Sequence, residues 1–471
     1  MGRVGGPGRG WGAVATAFAL GGCALVGPDY LRPAAIVPAH YKEIKGWKVG
    51  QPRDDFDKGS WWKVFHDPEL DALEPQVEIS NQTLKADEAN FRQALALIAE
   101  ARSQLYPTLS ANGAVQRANV GGTPLTTLSL EGAASWTPDV WGKIRRTIES
   151  QAAGAQASAA DLANAKLSAQ SSLASAYFGL RETDSLRDLL ADTVAQYTKS
   201  LEITQNKKAA GTAAQSDVIT AQALLLAAQA QETSTAVARG QFEHAIAVLM
   251  GRPPAELSIA RGTLTHDQPM VPVSLPSTLL ERRPDIAAAE RTMQEQNALI
   301  GVAIAAYYPD ITLSGLLGAA GSPGVKSLGA SNPLWSIGLS IAETLFNGGL
   351  TDAQVEAARA TYESSVATYR QTVLSAFQQV EDQLVAIRVL AKEEIEQTEA
   401  VKAAEQAVQI ALNQYRAGTT DFTTVVTAQA IALNDEEALL TTRGQRVAAT
   451  VALIVALGGG WSDAKLPALA Q

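Results

Sequence analysis

The 471-residue sequence predicts a mainly α-helical, internally duplicated chain carrying four membrane β-strands, too few to close a barrel without further copies. Three observations lead there: two long stretches free of proline, a repeat at one fixed offset, and short alternating segments that twice follow a Tyr-Pro pair.

The helices come first. No proline falls between Pro138 and Pro253 or between Pro333 and Pro467, and both gaps are rich in Ala, Gln and Glu with apolar residues at helical spacing. Lys143–Lys208 and Leu350–Ala417 are the clearest stretches. A helix of about 65 residues is roughly 100 Å long at 1.5 Å per residue, which suits a coiled coil or helical tube rather than a globule. Aromatic residues make up only 6% of the chain, so packing through small residues is expected.

Repetition sets the organisation. "GTAAQSDVITAQALLL" (211–226) and "GTTDFTTVVTAQAIAL" (418–433) align at an offset of 207, as do "AVLMG" (247–251) and "IVALG" (454–458). The Tyr-Pro pairs at 106–107 and 308–309 lie 202 apart. The expected order is a signal segment over 1–22, an extended N-terminal segment over 23–66, repeats over 67–251 and 277–461, a linker over 252–276 and a tail over 462–471.

Each repeat contains two alternating segments, expected near 108–117 and 126–137 and near 310–318 and 334–345. Leu109, Ala111, Gly113 and Val115 oppose Ser110, Asn112, Ala114 and Gln116; Ile311, Leu313, Gly315 and Leu317, then Trp335, Ile337, Leu339 and Ile341, form the matching faces of the second repeat. About ten residues cross a bilayer as a tilted strand. An ordinary soluble hairpin alternates in the same way. Here the polar face is small and uncharged apart from Glu131, and Tyr106, Trp136, Trp141, Tyr307, Tyr308 and Phe346 stand at strand ends as an interfacial belt would. Open sheet edges are not tolerated in lipid, and the small bacterial barrels have about eight strands. Four per chain therefore require oligomerisation.

The N-terminus agrees with export. Arg3 and Arg9 precede an apolar core at Trp11–Leu20, and "LGGC" places small residues before the only cysteine, Cys23. Cleavage before Cys23 would leave a lipid-bearing thiol, with a diacylglycerol and an N-acyl chain as the only additions expected; two acyl chains anchor far more firmly than one. Losing Arg3 and Arg9 takes the basic residues from 38 to 36 against 48 acidic ones, a balance that disfavours nucleic acid. No run of eighteen apolar residues predicts a membrane-spanning helix.

Catalytic and metal chemistry finds no support in the sequence. His40, His66, His244 and His266 lack ligand spacing, and the four methionines do not cluster. No Ser/His/Asp or Cys/His arrangement and no phosphate loop is present. "ERRPD" (281–285) reads as a helix boundary with a capping role.

From Cys23 to about Trp461 the chain resembles the outer membrane factors of tripartite efflux and secretion systems, the TolC family, and within it the NodT-like lipoproteins of RND-type efflux systems. The resemblance rests on "GCALVGPDYLRP", "WWKVFHDPEL", "YPTLS", "DVWGKIRR", "LPSTLLERRPDIAAAE", "WSIGLSIAETLFNGG" and "LIVALGGGW", in this order. It implies a homotrimer with a 12-stranded outer-membrane barrel, four strands per subunit, continued by a helical barrel through the periplasm. The implied role is a passive exit duct for drugs and other small molecules, joined to a periplasmic adaptor and an inner-membrane RND-type pump.

The resemblance also points to the turns "KKAAGTAAQSD" and "YRAGTTDF" as the periplasmic tip, where the pore narrows and the adaptor docks. Asp217 matches a constriction aspartate of the first repeat; the second repeat has Thr427 where the family often has Asp. Tyr415 and Arg416 match positions that lock neighbouring helices. From local chemistry alone, Gly211 and Gly418 suit left-handed C-caps, Ser216 or Asp217 the next N-cap, and Asp421 the corresponding one. Capping and gating remain alternatives for Asp217 and Asp421. Leu313 and Ile337 are expected to face lipid. Competing readings are a poreless coiled-coil lipoprotein and an exported enzyme with helical decoration.

Overall fold

The computed structural model describes residues 25–43, 59–264, 269, 271, 279–321 and 333–468. Cys23, the signal segment, His266 and most of the linker beyond Leu264 lie outside these residues.

Helices α1 (Pro68–Ser80) and α2 (Gln82–Ser103) lead into strands β1 (Thr108–Val120) and β2 (Thr123–Trp136). Then come α3 (Lys143–Ala209) and α4 (Gln215–Leu249). The second repeat has α5 (Pro284–Ile304), preceded by the single turn Leu279–Arg282, then β3 (Asp310–Gly321) and β4 (Pro333–Ala342). It ends with α6 (Leu350–Ala417) and α7 (Phe422–Ala456). At 67 and 68 residues, α3 and α6 are each about 100 Å long. Their starts, their ends and the starts and ends of α4 and α7 all differ by 207 or 208 positions, so the duplication extends to individual helix termini.

The four strands form one antiparallel sheet in the order β1-β2-β3-β4. "ANVGGTP" is tighter than the loop expected from its composition. Gly121 and Gly122, both at positive φ (61° and 86°), form a two-residue turn that lets Val120 pair with Thr123. A two-residue turn with φ > 0 at both central residues matches the twist of the flanking strands, and glycine adopts it without a Cβ penalty.

The main core lies midway along the long helices. Leu173, Tyr177 and Leu180 of α3 meet Ile246 of α4, Val373 and Val380 of α6 and Val451 and Leu453 of α7. The segment before α1 differs from the extended strip expected over 23–66. Trp61–Phe65 forms a 3-10 turn whose Trp61, Trp62 and Phe65 are buried in that core, because three aromatic side chains in five residues bury too much apolar surface to lie in water.

Upstream, residues 25–43 run down the helices as a strap. Val26 N–H donates to the Trp141 carbonyl at 3.2 Å, Asn297 Nδ2 donates to the Pro28 carbonyl at 2.9 Å, and Tyr30 Oη donates to Glu290 at 3.0 Å. Lower down, the Lys42 and Glu43 amides donate to the Glu381 carboxylate at 2.6 and 2.9 Å. The described part of the linker is pinned as well: Arg239 Nη2 donates to the Ile259 carbonyl at 2.7 Å, and the Leu264 amide to Ser185 Oγ at 2.9 Å.

Arg283 of "ERRPD" makes no side-chain cap, although the motif does mark the boundary before α5. The guanidinium, buried in the core, bonds instead to Asp285, to Gln379 at 2.8 Å and to the Ala456 carbonyl at 3.0 Å. It thereby joins α5, α6 and the end of α7. An Arg fork can satisfy several acceptors at once, which is what a charged group buried at a three-helix junction requires.

Candidate functional site: the helical tip and the strand face

Two regions hold the residues singled out by the sequence: the turns at the far ends of the long helices and one face of the sheet.

At the tip both long helices end in the same hydrogen-bond motif. Gly211 N–H donates to the Lys208 carbonyl and Thr212 N–H to that of Lys207, each at 2.8 Å; Gly418 N–H donates to Tyr415 at 3.1 Å and Thr419 N–H to Gln414 at 3.0 Å. Gly211 and Gly418 hold φ at 76° and 77°, the left-handed geometry this closure needs. Asp421 caps α7, accepting from the Thr424 amide at 3.0 Å and the Thr424 hydroxyl at 2.9 Å. The Thr424 amide bond, followed by the hydroxyl, holds the Asp421 carboxyl below its ordinary pKa.

The first repeat departs from this pattern. Ala214 occupies the N-cap of α4 with no side-chain cap, so neither Ser216 nor Asp217 caps the helix. The helix begins two residues earlier than a Ser216 cap would allow, at Gln215, which puts Asp217 in its first turn. A carboxylate there still meets the positive end of the helix dipole.

The tip is held by a small apolar cluster of Ala221, Ala411, Tyr415, Phe422 and Val425. The Tyr415 ring lies 5.3 Å from that of Phe422. Lys207 Nζ donates to the Tyr415 carbonyl at 2.6 Å and stands 4.7 Å from the centre of its ring, so one ammonium clasps the end of α3 to the end of α6. Burial raises the Tyr415 hydroxyl above its ordinary pKa, and the charge of Asp217 adds to the rise. Arg416 is exposed and bonds to Asn413 on its own helix at 3.3 Å. Deeper in, Gln429 Nε2 donates to Ser200 Oγ at 2.9 Å, a buried bond joining α7 to α3. Lys207 was not apparent from the sequence. Its only local signal is a basic pair in the last turn of a helix, which dipole complementarity alone explains.

The sheet brings every apolar segment to one face. Pairing places Leu109 beside Ala134, Ala134 beside Gly315 and Gly315 beside Ile337; the next row runs Ala111, Gly132, Leu317 and Trp335. Leu313 pairs with Leu339 on the same face. Ile337 is 84% exposed in the isolated chain and Leu109 82%, an apolar surface far too continuous for water. On the opposite face, Glu131 pairs with Gly318, where a Cβ would come within 2.9 Å of the Glu131 Cγ. Gly318 thus spares a clash with the Leu130 carbonyl, which such a Cβ would meet more closely still, and with the Glu131 side chain. Asp310 at the start of β3 is a second charge on that side. β1 and β4 are the two open edges.

Below the strands, Trp141 stacks on Tyr308 at 4.9 Å and 24°, and its Nε1 donates to the Pro309 carbonyl at 2.8 Å. Asp139 caps the start of α3 through the Ile144 and Arg145 amides at 2.9 and 3.0 Å. No group of His, Cys, Asp or Glu able to hold a metal occurs among the described residues, and no helix among them is long and apolar enough to cross a membrane.

The profile of the outer membrane efflux protein family matches residues 73–252 and 275–459, one match per repeat. The toluene efflux pump outer membrane protein TtgC of Pseudomonas putida is 29% identical over 460 residues, covering 95% of each chain. The pyoverdine export outer membrane protein OpmQ of Pseudomonas aeruginosa is 28% identical over 467 residues, covering 96% of each. Among solved structures, the outer-membrane channel OprN superposes with a TM-score of 0.87 at 29% identity, over 93% of this chain and all of that one. The open MtrE channel of Neisseria gonorrhoeae superposes with a TM-score of 0.81 at 25% identity, over 93% of this chain and 99% of its own. With a TolC-like fold and both repeats matched, the chain belongs to the outer membrane efflux protein family.

Proposed function

We propose that three copies of this chain form a passive exit duct in the outer membrane, receiving small molecules from an inner-membrane RND-type pump through a periplasmic adaptor. The observation that carries this reading is the four-stranded sheet: its apolar rows are continuous across all strands, its two edges are open, and it leads directly into helices about 100 Å long. Three such sheets supply twelve strands, enough to remove every edge from lipid. The duct needs no energy source of its own, since the gradient is made by the pump.

Cys23 is the proposed lipid anchor. Leu25 lies against Gly142 at the membrane end of α3, and two residues of chain span at most about 7 Å. A thiol at position 23 is therefore within reach of the leaflet from which the strands rise. At the tip, Asp217, Asp421, Tyr415 and Arg416 are proposed to line or brace the constriction, with Asp421 also capping its helix.

Deleting the gene should raise cellular retention of small amphipathic dyes and drugs, and the intact chain should restore efflux. Unchanged retention in a strain without a second duct would count against the assignment. In the same strain, Cys23→Ser should abolish incorporation of labelled palmitate; persisting label would refute the anchor.

A further inference from the structure

The duplication specifies how one copy meets the next, residue by residue. Within the chain, β2 of the first repeat pairs with β3 of the second, from Leu128 opposite Gly321 to Trp136 opposite Leu313, so that paired residue numbers sum to 449. The same sum holds beyond the strands, where Trp141 stacks on Tyr308. This is the seam between the two repeats, and the open edges β4 and β1 are the duplicated counterparts of its two sides.

The offsets between counterparts follow from the pairing. β1 and β3 align at 202 through their Tyr-Pro pairs. The hairpin sums, 243 for β1 with β2 and 652 for β3 with β4, then align β2 with β4 at 207. That is also the offset between Gly142 and Gly349 at the helix starts and between Gly211 and Gly418 at the tip. Carrying the repeat seam across, by adding 207 on the β4 side and removing 202 on the β1 side, changes the sum from 449 to 454.

We propose, resting on the homotrimer reading above, that β4 of one copy pairs antiparallel with β1 of the next in the register whose residue numbers sum to 454. Ile341 then meets the next copy's Gly113, Leu339 its Val115 and Ile337 its Arg117. The sum is even, so the apolar face of β4 continues onto the apolar face of β1. An odd sum would have turned one of them into the lumen, because a one-residue slip reverses every side chain.

The two kinds of seam differ at their periplasmic foot. Opposite the next copy's Tyr106, where the repeat seam has Trp141 over Tyr308, the register places Gly348. The stack and the indole–carbonyl bond of the repeat seam are therefore missing between copies. Phe346 stands two residues before Gly348 and, with its neighbour Leu345, is 89% exposed in the single chain; Tyr106 is 70% exposed. An aromatic side chain reaches the diagonal neighbour across an antiparallel pair. Phe346 of one copy packs on Tyr106 of the next and closes the subunit seam in place of the missing tryptophan.

Paired cysteines test the register in outer membranes, with copper-phenanthroline oxidation read on non-reducing gels. L339C combined with V115C should give covalent trimer. L339C with G113C, two residues out of register, should give several-fold less, because a disulfide needs Cβ atoms about 3.5–4.5 Å apart. Phe346→Ala should lower the temperature at which the trimer dissociates in SDS, and Phe346→Tyr should restore it. A trimer confirmed by native mass in which L339C/G113C exceeds L339C/V115C, or in which neither forms, overturns the register. Cross-linking of L339C/V115C together with an unchanged dissociation temperature for Phe346→Ala overturns the aromatic seam. A native mass of a monomer overturns the homotrimer reading itself, and this interface with it.

Discussion

Glu74 in α1 is a carboxyl group with no exposed surface and no hydrogen-bond partner for either oxygen among the described residues. Burial pushes its pKa up to about 9 from an ordinary value near 4.5, so it is an uncharged acid at neutral pH. The folded form thus holds the proton more tightly than the unfolded chain. The resulting stability is complete below about pH 4.5 and is lost as pH rises towards and through about 9, by at most about 1.4 kcal/mol per pH unit. Glu74→Gln keeps the shape without the titration. Its Tm should match that of the parent at pH 5 and exceed it by a growing margin towards pH 9; parallel curves would contradict the assignment. At the tip, Asp217 and Asp421 separate into different roles. Asp421 is bonded into a cap, whereas Asp217 makes no cap, so Asp217→Ala should cost only the dipole contribution of about 0.3–1 kcal/mol. If Asp217 narrows the pore, the same change should raise single-channel conductance; an unchanged conductance would remove it from the constriction.

At the scale of elements, the helices were legible in the sequence because proline and glycine mark where each must stop. The extents of α3 and α6 follow from proline-free stretches closed by Gly211 and Gly418. The strands were legible in their middle and less so at their ends. β1 and β2 run on to Val120 and from Thr123 because the Gly121-Gly122 turn is tight, whereas glycine and proline between two strands are equally compatible with a longer loop. The start of α4 differs from the expected one because Ser and Asp are strong N-cap residues on local propensity, yet the chain caps at Ala214, two residues before Ser216 and three before Asp217. Lys207 and Arg283 were illegible as anchors for a different reason: their partners, Tyr415, Gln379 and Ala456, are remote in sequence. The strand face carries its own prediction. Ile337→Arg adds a positive charge to the lipid side, next to the Arg117 that the proposed subunit register sets opposite it. Such a charge costs about 2–4 kcal/mol at the bilayer midplane, and the change should reduce the yield of membrane-assembled trimer; normal yield would contradict the outward assignment.

At the scale of the whole molecule, a chain of two repeats supplies, in the proposed homotrimer, a third of a barrel and a third of a tube. The duplication was visible in the sequence, and so was the need for partners, because four strands cannot remove their own edges from lipid. The strap and the linker were not visible. Residues 25–43 and 259–264 look like extended connections in composition, yet backbone bonds to Trp141, Glu381, Arg239 and Ser185 bind them to helices of both repeats. The strap ties the two repeats together from the membrane end of α3 down to Glu381, and the linker bonds add to the first repeat. The tip, held by a small cluster and one ammonium clasp, is left as the less strongly braced end. Trimers of this chain, as proposed, enclose a continuous water-filled path. Purified trimer, its mass confirmed beforehand, should produce discrete conductance steps in a planar lipid bilayer. The same trimer inserted in the bilayer without any conductance would contradict the duct and leave a poreless scaffold in its place.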